Sequence, residues 1–249
     1  MRVTVTGSRG FIGSHVKSRL ESLGHIVDEW DSKIGKSLED LDPRTNRLEL
    51  DTDYVIHLAA FANVRESINH PQKYWDNNVS LTTKLQKYCH NSEIPLLYAS
   101  SSCVHNWHLS PYGMSKKINE ETAFYNQVGL RFTTVYGEGA RDSMLIGRLI
   151  DGRVDYLTNH IRDFIHVDDV VDAIILLMDK DLNKLKPVYD IGTGKGVVVS
   201  ELGELAGCNA EVRAGEECEA WDNTADNSDL KDLGWSPKYD IEEYVRSNT

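Results

Sequence analysis

Three glycines, Gly7, Gly10 and Gly13, each three positions from the next, stand directly behind the alternating run Met1-Arg2-Val3-Thr4-Val5-Thr6. Alternation marks a strand, and the stretch Phe11–Leu23 that follows has helical spacing and stops at Gly24. Glycine turns between strand and helix are common, but this array sits where a dinucleotide motif must sit, directly after the first strand and opening a helix. Glycine lets the backbone turn tightly and approach a pyrophosphate, while the helix start offers unpaired N–H groups and the positive end of its dipole. The array Gly7, Arg9, Gly10, Phe11, Ile12 and Gly13 therefore predicts a dinucleotide site. A second strand, Ile26–Trp30, ends at Asp31. A carboxylate there can accept hydrogen bonds from both hydroxyls of an adenosine ribose and repels a 2′-phosphate, which favours NAD over NADP. Arg9 pulls the other way, since a guanidinium inside the loop could meet that phosphate.

The same alternation of strands and helices continues. Leu48–Leu50 and Asp53–Ala59 bring the next strand, Tyr74–His90 a long amphipathic helix, Pro95–Ser101 a strand, Ser110–Asn126 a helix and Gly129–Tyr136 another strand. That order predicts an α/β fold, a doubly wound parallel Rossmann-type sheet with helices on both faces. Beyond Gly137 the pattern loosens, with helical spacing at Ser143–Asp151 and Val167–Met178 and a strand at Val188–Ile191. The division expected is a dinucleotide-binding domain over residues 1–136, joined by 162–195. A smaller C-terminal lobe over residues 137–161 and 196–249 would cover the substrate.

Composition excludes several classes. The 27 Lys+Arg against 39 Asp+Glu leave a formal net charge of −12, which disfavours binding to nucleic acid or to anionic lipid heads. The longest apolar run, Ala173–Met178, falls far short of the ~20 residues needed to cross a bilayer. Strand-like alternation from the first residue leaves no secretory leader, and Cys89, Cys103, Cys208 and Cys218 form no Cys-x-x-Cys pair. A reducing cytoplasm is the expected compartment. His105 and His108 lie three apart in a loop without an evident third ligand, so no metal site is expected.

The chemistry concentrates at Tyr112-Gly113-Met114-Ser115-Lys116, where a phenol and an ammonium four residues apart share one helix face. A tyrosine is a poor base at neutral pH, but a nearby Lys⁺ and a cationic nicotinamide ring both favour the phenolate. Upstream, the strand Leu96–Ala99 runs into Ser100-Ser101-Ser102, at the sheet edge where ligands bind in this architecture.

With these elements in order, the chain resembles the extended short-chain dehydrogenases/reductases of the NAD-dependent epimerase/dehydratase family, which act on nucleotide sugars. Matching segments run from Thr6–Gly13 through His57–Ala60, Asn78-Val79, Ser100–Val104, Pro111–Lys116, Leu130–Gly137, Arg162–Asp169 and Asp190–Gly194 to Leu233–Pro237. The resemblance implies Ser101, Tyr112 and Lys116 as the catalytic group, with Ser102 in place of Ser101 if the register slips. It implies that Leu58, Ala59 and Ala60 line the cofactor, that Asn78 lies near the nicotinamide, and that Lys116 bonds the ribose while lowering the pKa of Tyr112. Arg162 and Arg213 match arginines that clamp a sugar-nucleotide diphosphate, and Ser102, Cys103 and Thr134 fall on the substrate side. A homodimer through a four-helix bundle of Tyr74–His90 and Ser110–Asn126 is a further implication.

The reaction implied is hydride transfer at sugar C4 with proton transfer by Tyr112, most simply a UDP-hexose 4-epimerisation through a 4-keto sugar. Family dehydratases carry an Asp-Glu pair after the catalytic hydroxyl, whereas this chain has Ser102-Cys103. Cys103 aligns with a base of the 3,5-epimerases, including the GDP-fucose synthase type, but Glu138–Asp142 supplies neither the His nor the Lys those enzymes need. That reading stands as the alternative, with a non-catalytic NAD-binding sensor or scaffold third. Members of the family run longer, and the shortfall is expected at Asp31–His57 and Tyr136–Arg162.

Overall fold

The computed structural model describes residues 1–40 and 50–249. Its first half alternates as the glycine pattern demands: β1 (Arg2–Thr6), α1 (Phe11–Ser22), β2 (Ile26–Trp30), β3 (Tyr54–His57), then the short helices α2 (Val64–Asn69) and α3 (Pro71–Tyr74). Helix α4 (Thr82–Asn91), β4 (Leu96–Ser101), α5 (Pro111–Glu121) and β5 (Gln127–Phe132) follow. The expected strand at Leu48–Leu50 falls on residues outside the described ones except for Leu50, whose N–H donates to the Tyr88 hydroxyl at 2.9 Å.

Six strands form one sheet in the order β2-β1-β3-β4-β5-β9, with β9 at Val188–Ile191 and every pairing parallel. Strand alternation sends Val3, Val5, Ile56 and Leu97 to one face, where they pack with Val16 and Leu20 of α1 and with Val170, Ile174 and Leu177 of α7 (Val167–Met178). Val55, Leu96 and Tyr98 face the other way, onto Leu85, Tyr88 and Cys89 of α4. Helices thus cover both faces. The order reverses between β1 and β3, and the carboxyl ends of strands at such a switch point are where this architecture opens a ligand crevice.

Two sequence expectations change. Gly129–Tyr136 is not one strand but two, β5 and β6 (Thr134–Tyr136), broken at Thr133. Phe132 is paired to Ser101 on one side and Ile191 on the other, each the last residue of its strand. Past that point the ladder has no partners, so β6 peels away and pairs with β8 (Ile161–His166) in a second sheet, β10-β8-β6, completed by Gly196–Val198. Tyr74–His90 is likewise not a uniform helix: between α3 and α4 the turn Trp75–Leu81 is π-helical, and the chain there carries the buried Asn78 and Val79. Such insertions gather at functional sites.

The remaining chain builds a smaller apolar cluster. Tyr136, Phe164, Ile146 and Leu149 of α6 (Leu145–Ile150), Leu157 of β7 (Tyr156–Thr158), Leu202 of α8 (Val199–Leu205), and Ile241 and Val245 near the C-terminus pack together. β7 also pairs with β11 (Glu211–Arg213). Trp235 ties this end to the main sheet, its indole N–H donating to the Asp169 carbonyl at 3.1 Å. Fully burying such a ring contributes roughly 3 kcal/mol. No helix among the described residues is long and apolar enough to cross a membrane.

Candidate active site

A cleft of ≈ 480 Å³ opens along the carboxyl ends of β1, β3, β4 and β5. At one end lie Gly7, Gly10, Phe11, Ile12 and Gly13, at the centre Ala99–Cys103, Tyr112 and Lys116, and at the other end Thr134, Arg141, Arg162, Glu219 and Asn223.

The glycine end is built by close backbone approach. A Cβ on Gly13 would stand 2.0 Å from the Gly7 carbonyl oxygen, and one on Gly7, whose φ is +69°, would stand 2.7 Å from the Ala59 nitrogen. Helix α1 begins at Gly10 with no side-chain cap and no acid in its first turn. Its leading N–H groups are thereby left for an anion, which is what a dinucleotide diphosphate requires. Asp31 sits behind the loop, its carboxylate accepting from the Arg9 N–H at 3.0 Å and the Lys33 N–H at 2.8 Å. Those two bonds leave a carboxylate further lone pairs for ribose hydroxyls. Arg9 is drawn away onto Glu29, at 2.8 and 2.9 Å. Thr6 and Thr82 hold the buried His57 between them at 2.6 and 2.9 Å, and burial with the Lys116 charge pushes its pKa down to about 3. His57 is thus a neutral strut.

Helix α5 carries the chemical groups. Ser110 caps it, accepting from the Gly113 N–H at 3.0 Å, and Pro111 supplies the first helical residue, so Tyr112 is fixed in the first turn. Tyr112, Lys116 and Glu120 follow at one-turn intervals. The Lys116 ammonium donates to the Ala99 carbonyl at 2.8 Å, and burial pushes its pKa down to about 8 against the pull of Glu120. Glu120 accepts from the Ser100 hydroxyl at 2.6 Å and takes Arg131 in a fork at 2.8 and 2.7 Å, which braces the end of β4. Ser101, the last residue of β4, accepts the Cys103 N–H at 3.2 Å, keeping its hydroxyl hydrogen available to the cleft.

In the ligand-free chain the Tyr112 phenol is held above its ordinary pKa, first by burial and then by Cys103, with Ser101 and the Arg141 guanidinium opposing. The Lys116 ammonium, one turn further along α5, is turned onto the Ala99 carbonyl. Burial also pushes the Cys103 thiol pKa up, the wrong direction for a thiolate base.

Asn78 and Arg213 stand outside the cleft lining. Asn78 is fully buried and is spent on structure: its amide oxygen accepts from the Phe61 N–H at 2.9 Å, and its nitrogen donates to the Phe61 carbonyl at 2.9 Å and to Ser115 at 3.2 Å. It shapes the wall from behind. Arg213 lies on exposed β11, paired with Glu211 at 2.8 Å and stacked 5.3 Å over the Tyr156 ring, off the cleft wall. Asp31, Arg9 and Ala59 also stand behind the lining residues, whereas Leu58, Ala60, Ser101, Ser102, Cys103, Thr134 and Arg162 belong to it.

Sequence reasoning passed over three lining residues. Asn223 joins Thr134 at 3.2 Å and Ser102 at 3.5 Å to the Asp163 N–H at 2.8 Å. Arg141 follows the Tyr136-Gly137 motif, in a loop searched only for His or Lys. Glu219 comes from a segment without a pattern. Among the described residues no group of three or more His, Cys, Asp or Glu side chains could hold a metal ion. His105 instead meets Asp190 at 3.1 Å.

Comparison with known proteins agrees with this geometry. The model of the NAD dependent epimerase/dehydratase family matches residues 3–192. Protein CapI of Staphylococcus aureus is 29% identical, covering 98% of this chain and 96% of its own length. A UDP-glucose 4-epimerase of Pisum sativum is 28% identical, covering 98% of this chain and 93% of its own length. That alignment runs over 330 positions, more than the 249 residues here, so the pea enzyme carries insertions relative to this chain. The solved structure of MoeE5 in complex with UDP-glucose and NAD superposes with a TM-score of 0.86 at 30% identity, covering 100% of this chain and 97% of that one. With the glycine loop, the Ser101, Tyr112 and Lys116 group and the parallel sheet all in place, the chain belongs to the NAD-dependent epimerase/dehydratase family of enzymes.

Proposed function

We propose that this enzyme is an NAD-dependent nucleotide-sugar 4-epimerase acting on a UDP-hexose. The observation that carries the reading is the convergence of Ser101, Tyr112 and Lys116 in one cleft with the uncapped, acid-free start of α1. Residues 1–136 with 162–195 hold the dinucleotide, and residues 137–161 with 196–249 cover the sugar nucleotide. Asp31 takes the adenosine ribose. Engagement of Arg9 by Glu29 removes the guanidinium that a 2′-phosphate would need, which supports NAD over NADP. Bound there, NAD would supply hydride transfer at the sugar C4. Lys116 spends one of its three donors on Ala99, and the others would serve the nicotinamide ribose. Tyr112 removes the proton of the sugar 4-hydroxyl and Ser101 hydrogen-bonds the same oxygen. Arg162 takes the sugar-nucleotide diphosphate, since a guanidinium fork matches phosphate oxygens.

Burial, which pushes the Cys103 thiol pKa up, favours this reading over a 3,5-epimerase. A homodimer is supported by the apolar groove between α3 and α5, where Trp75 and Met114 stand exposed beside Pro71 and Pro111; sedimentation as a monomer would reject it. The four unpaired cysteines support a cytoplasmic site. Mass spectrometry of ligand released by denaturation, followed by assays on UDP-, GDP- and dTDP-hexoses, tests the whole. NAD and interconversion of UDP-hexoses are expected; release of NADP, or turnover confined to GDP-sugars, overturns it.

A further inference from the structure

We propose that Glu219 is an internal anion seated where the substrate diphosphate binds, and that substrate entry displaces it. This inference rests on the nucleotide-sugar reading and adds a residue that sets affinity and selectivity.

Two guanidinium groups from distant parts of the chain converge on the one carboxylate. Arg65 of α2 donates through Nε to Oε1 at 2.6 Å, and Arg162 of β8 donates through Nη2 to Oε2 at 3.2 Å. Glu219 lines the cleft beside Cys103, Ala220 and Asn223. Arg162 is aimed by the backbone: its Nη1 donates to the carbonyls of Ile161 at 2.8 Å, Ala220 at 2.9 Å and Trp221 at 3.3 Å. That leaves Nη2 as the edge offered to an anion, and among the described residues Glu219 is its one side-chain partner. Arg65 is likewise oriented, with Nη1 on the Tyr156 hydroxyl at 2.5 Å.

An anion site with two oriented donors is therefore already built, and the chain's own carboxylate fills it. A doubly charged diphosphate cannot share the seat with Glu219, because like charges at contact distance repel. The arginines must exchange one carboxylate for phosphate oxygens. A diphosphate reaches both guanidinium groups in that exchange and a monophosphate only one, so removing the Glu219 charge relieves a diphosphate more than a monophosphate. The exchange also unties the Glu219 segment from α2, which loosens the cover over the sugar end of the cleft as substrate arrives.

Calorimetric titration of the NAD-loaded protein with UDP, UMP and inorganic pyrophosphate tests this, comparing the wild type with Glu219→Gln. UDP and pyrophosphate are expected to bind about tenfold more tightly to the variant, and UMP to gain less. A carboxylate that served only to fasten the segment would give the opposite result, weaker binding of UDP after its removal. Unchanged or weaker binding of UDP overturns the inference. Should Glu219→Gln fail to fold, Glu219→Asp withdraws the charge from Arg162 by one methylene. It is expected to give a smaller gain, and the absence of any gain counts against the inference equally. Turnover of UDP-hexose by the wild type without a gain in the variant removes the inference alone. A gain for pyrophosphate with no turnover of any nucleotide sugar removes the epimerase reading and leaves Glu219 in its seat.

Discussion

At the β1 end of the cleft the wall is mostly backbone, with three glycines, the open start of a helix and the Ala59 nitrogen packed to within van der Waals distance. At the β8 end it is charged side chains, Arg162, Arg141 and Glu219, partly occupied with one another. The first kind of wall works only if particular positions lack a side chain, so it admits almost no substitution. The second is set by pairings that can be exchanged, and it can be retuned without disturbing the sheet.

Substitutions on either side can break this contrast. The largest effect is expected from Gly13→Val, since even a Cβ there would stand 2.0 Å from the Gly7 carbonyl oxygen. The purified variant should carry no dinucleotide, as read by absorbance and by mass spectrometry of the denatured protein. Tyr112→Phe, at the junction of the two walls, should lower turnover by about 10³-fold while leaving dinucleotide content unchanged. An unchanged rate would place the proton transfer elsewhere.

Asp163 shows what a carboxylate looks like when it is purely structural. It is fully buried and accepts from the Thr193 N–H at 2.8 Å, the Thr193 hydroxyl at 2.6 Å, the Gly194 N–H at 2.9 Å and the Ala225 N–H at 3.1 Å. Asp163→Ala strands those donors and should cost about 3 kcal/mol, a fall in Tm of roughly 6–12 °C by calorimetry. Glu219, by contrast, has only exchangeable partners.

On the backbone-built side, stability should depend on pH through His57. Its ordinary pKa of 6.5 is pushed down to about 3 in the fold. Below pH 6.5 the unfolded chain binds a proton that the folded chain refuses, so stability falls by about 1.4 kcal/mol per pH unit until pH nears 3. Urea unfolding at pH 6.5 and pH 5 should show the wild type losing about 2 kcal/mol more than His57→Gln. Equal slopes would mean that the imidazole is not held neutral. The smallest effect belongs to Arg213→Ala, whose KM for the nucleotide sugar should change less than about twofold. A large rise would bring Arg213 back into the site.

The same contrast explains what could be read from sequence. Gly7, Gly10 and Gly13 are legible because close backbone approach forbids every other residue. Tyr112, Lys116 and Ser101 are legible because helix periodicity and a strand end fix their relation. Arg162 is found within a recognisable segment. Glu219 and Asn223 are not, since their segment has no periodicity and reaches the cleft only through tertiary folding. Arg213 misleads for the converse reason: its local Arg-Ala-Gly pattern fits, but β11 pairs with β7 and turns it to solvent. The break at Thr133 is equally invisible, because it depends on where β4 and β9 end.

The π-helical turn Trp75–Leu81 has a consequence for how the molecule tolerates change. One additional residue in a turn offsets everything beyond it by about 100° around the helix axis. Upstream phase is dictated by Asn78, which must face Phe61 and Ser115; downstream phase is dictated by Leu85, Tyr88 and Cys89, which must face the sheet. A uniform α-helix would have to satisfy both with one phase. The wide turn lets the two halves be mutated independently, and deleting one residue within it would force the helix to choose between its sheet and its cleft.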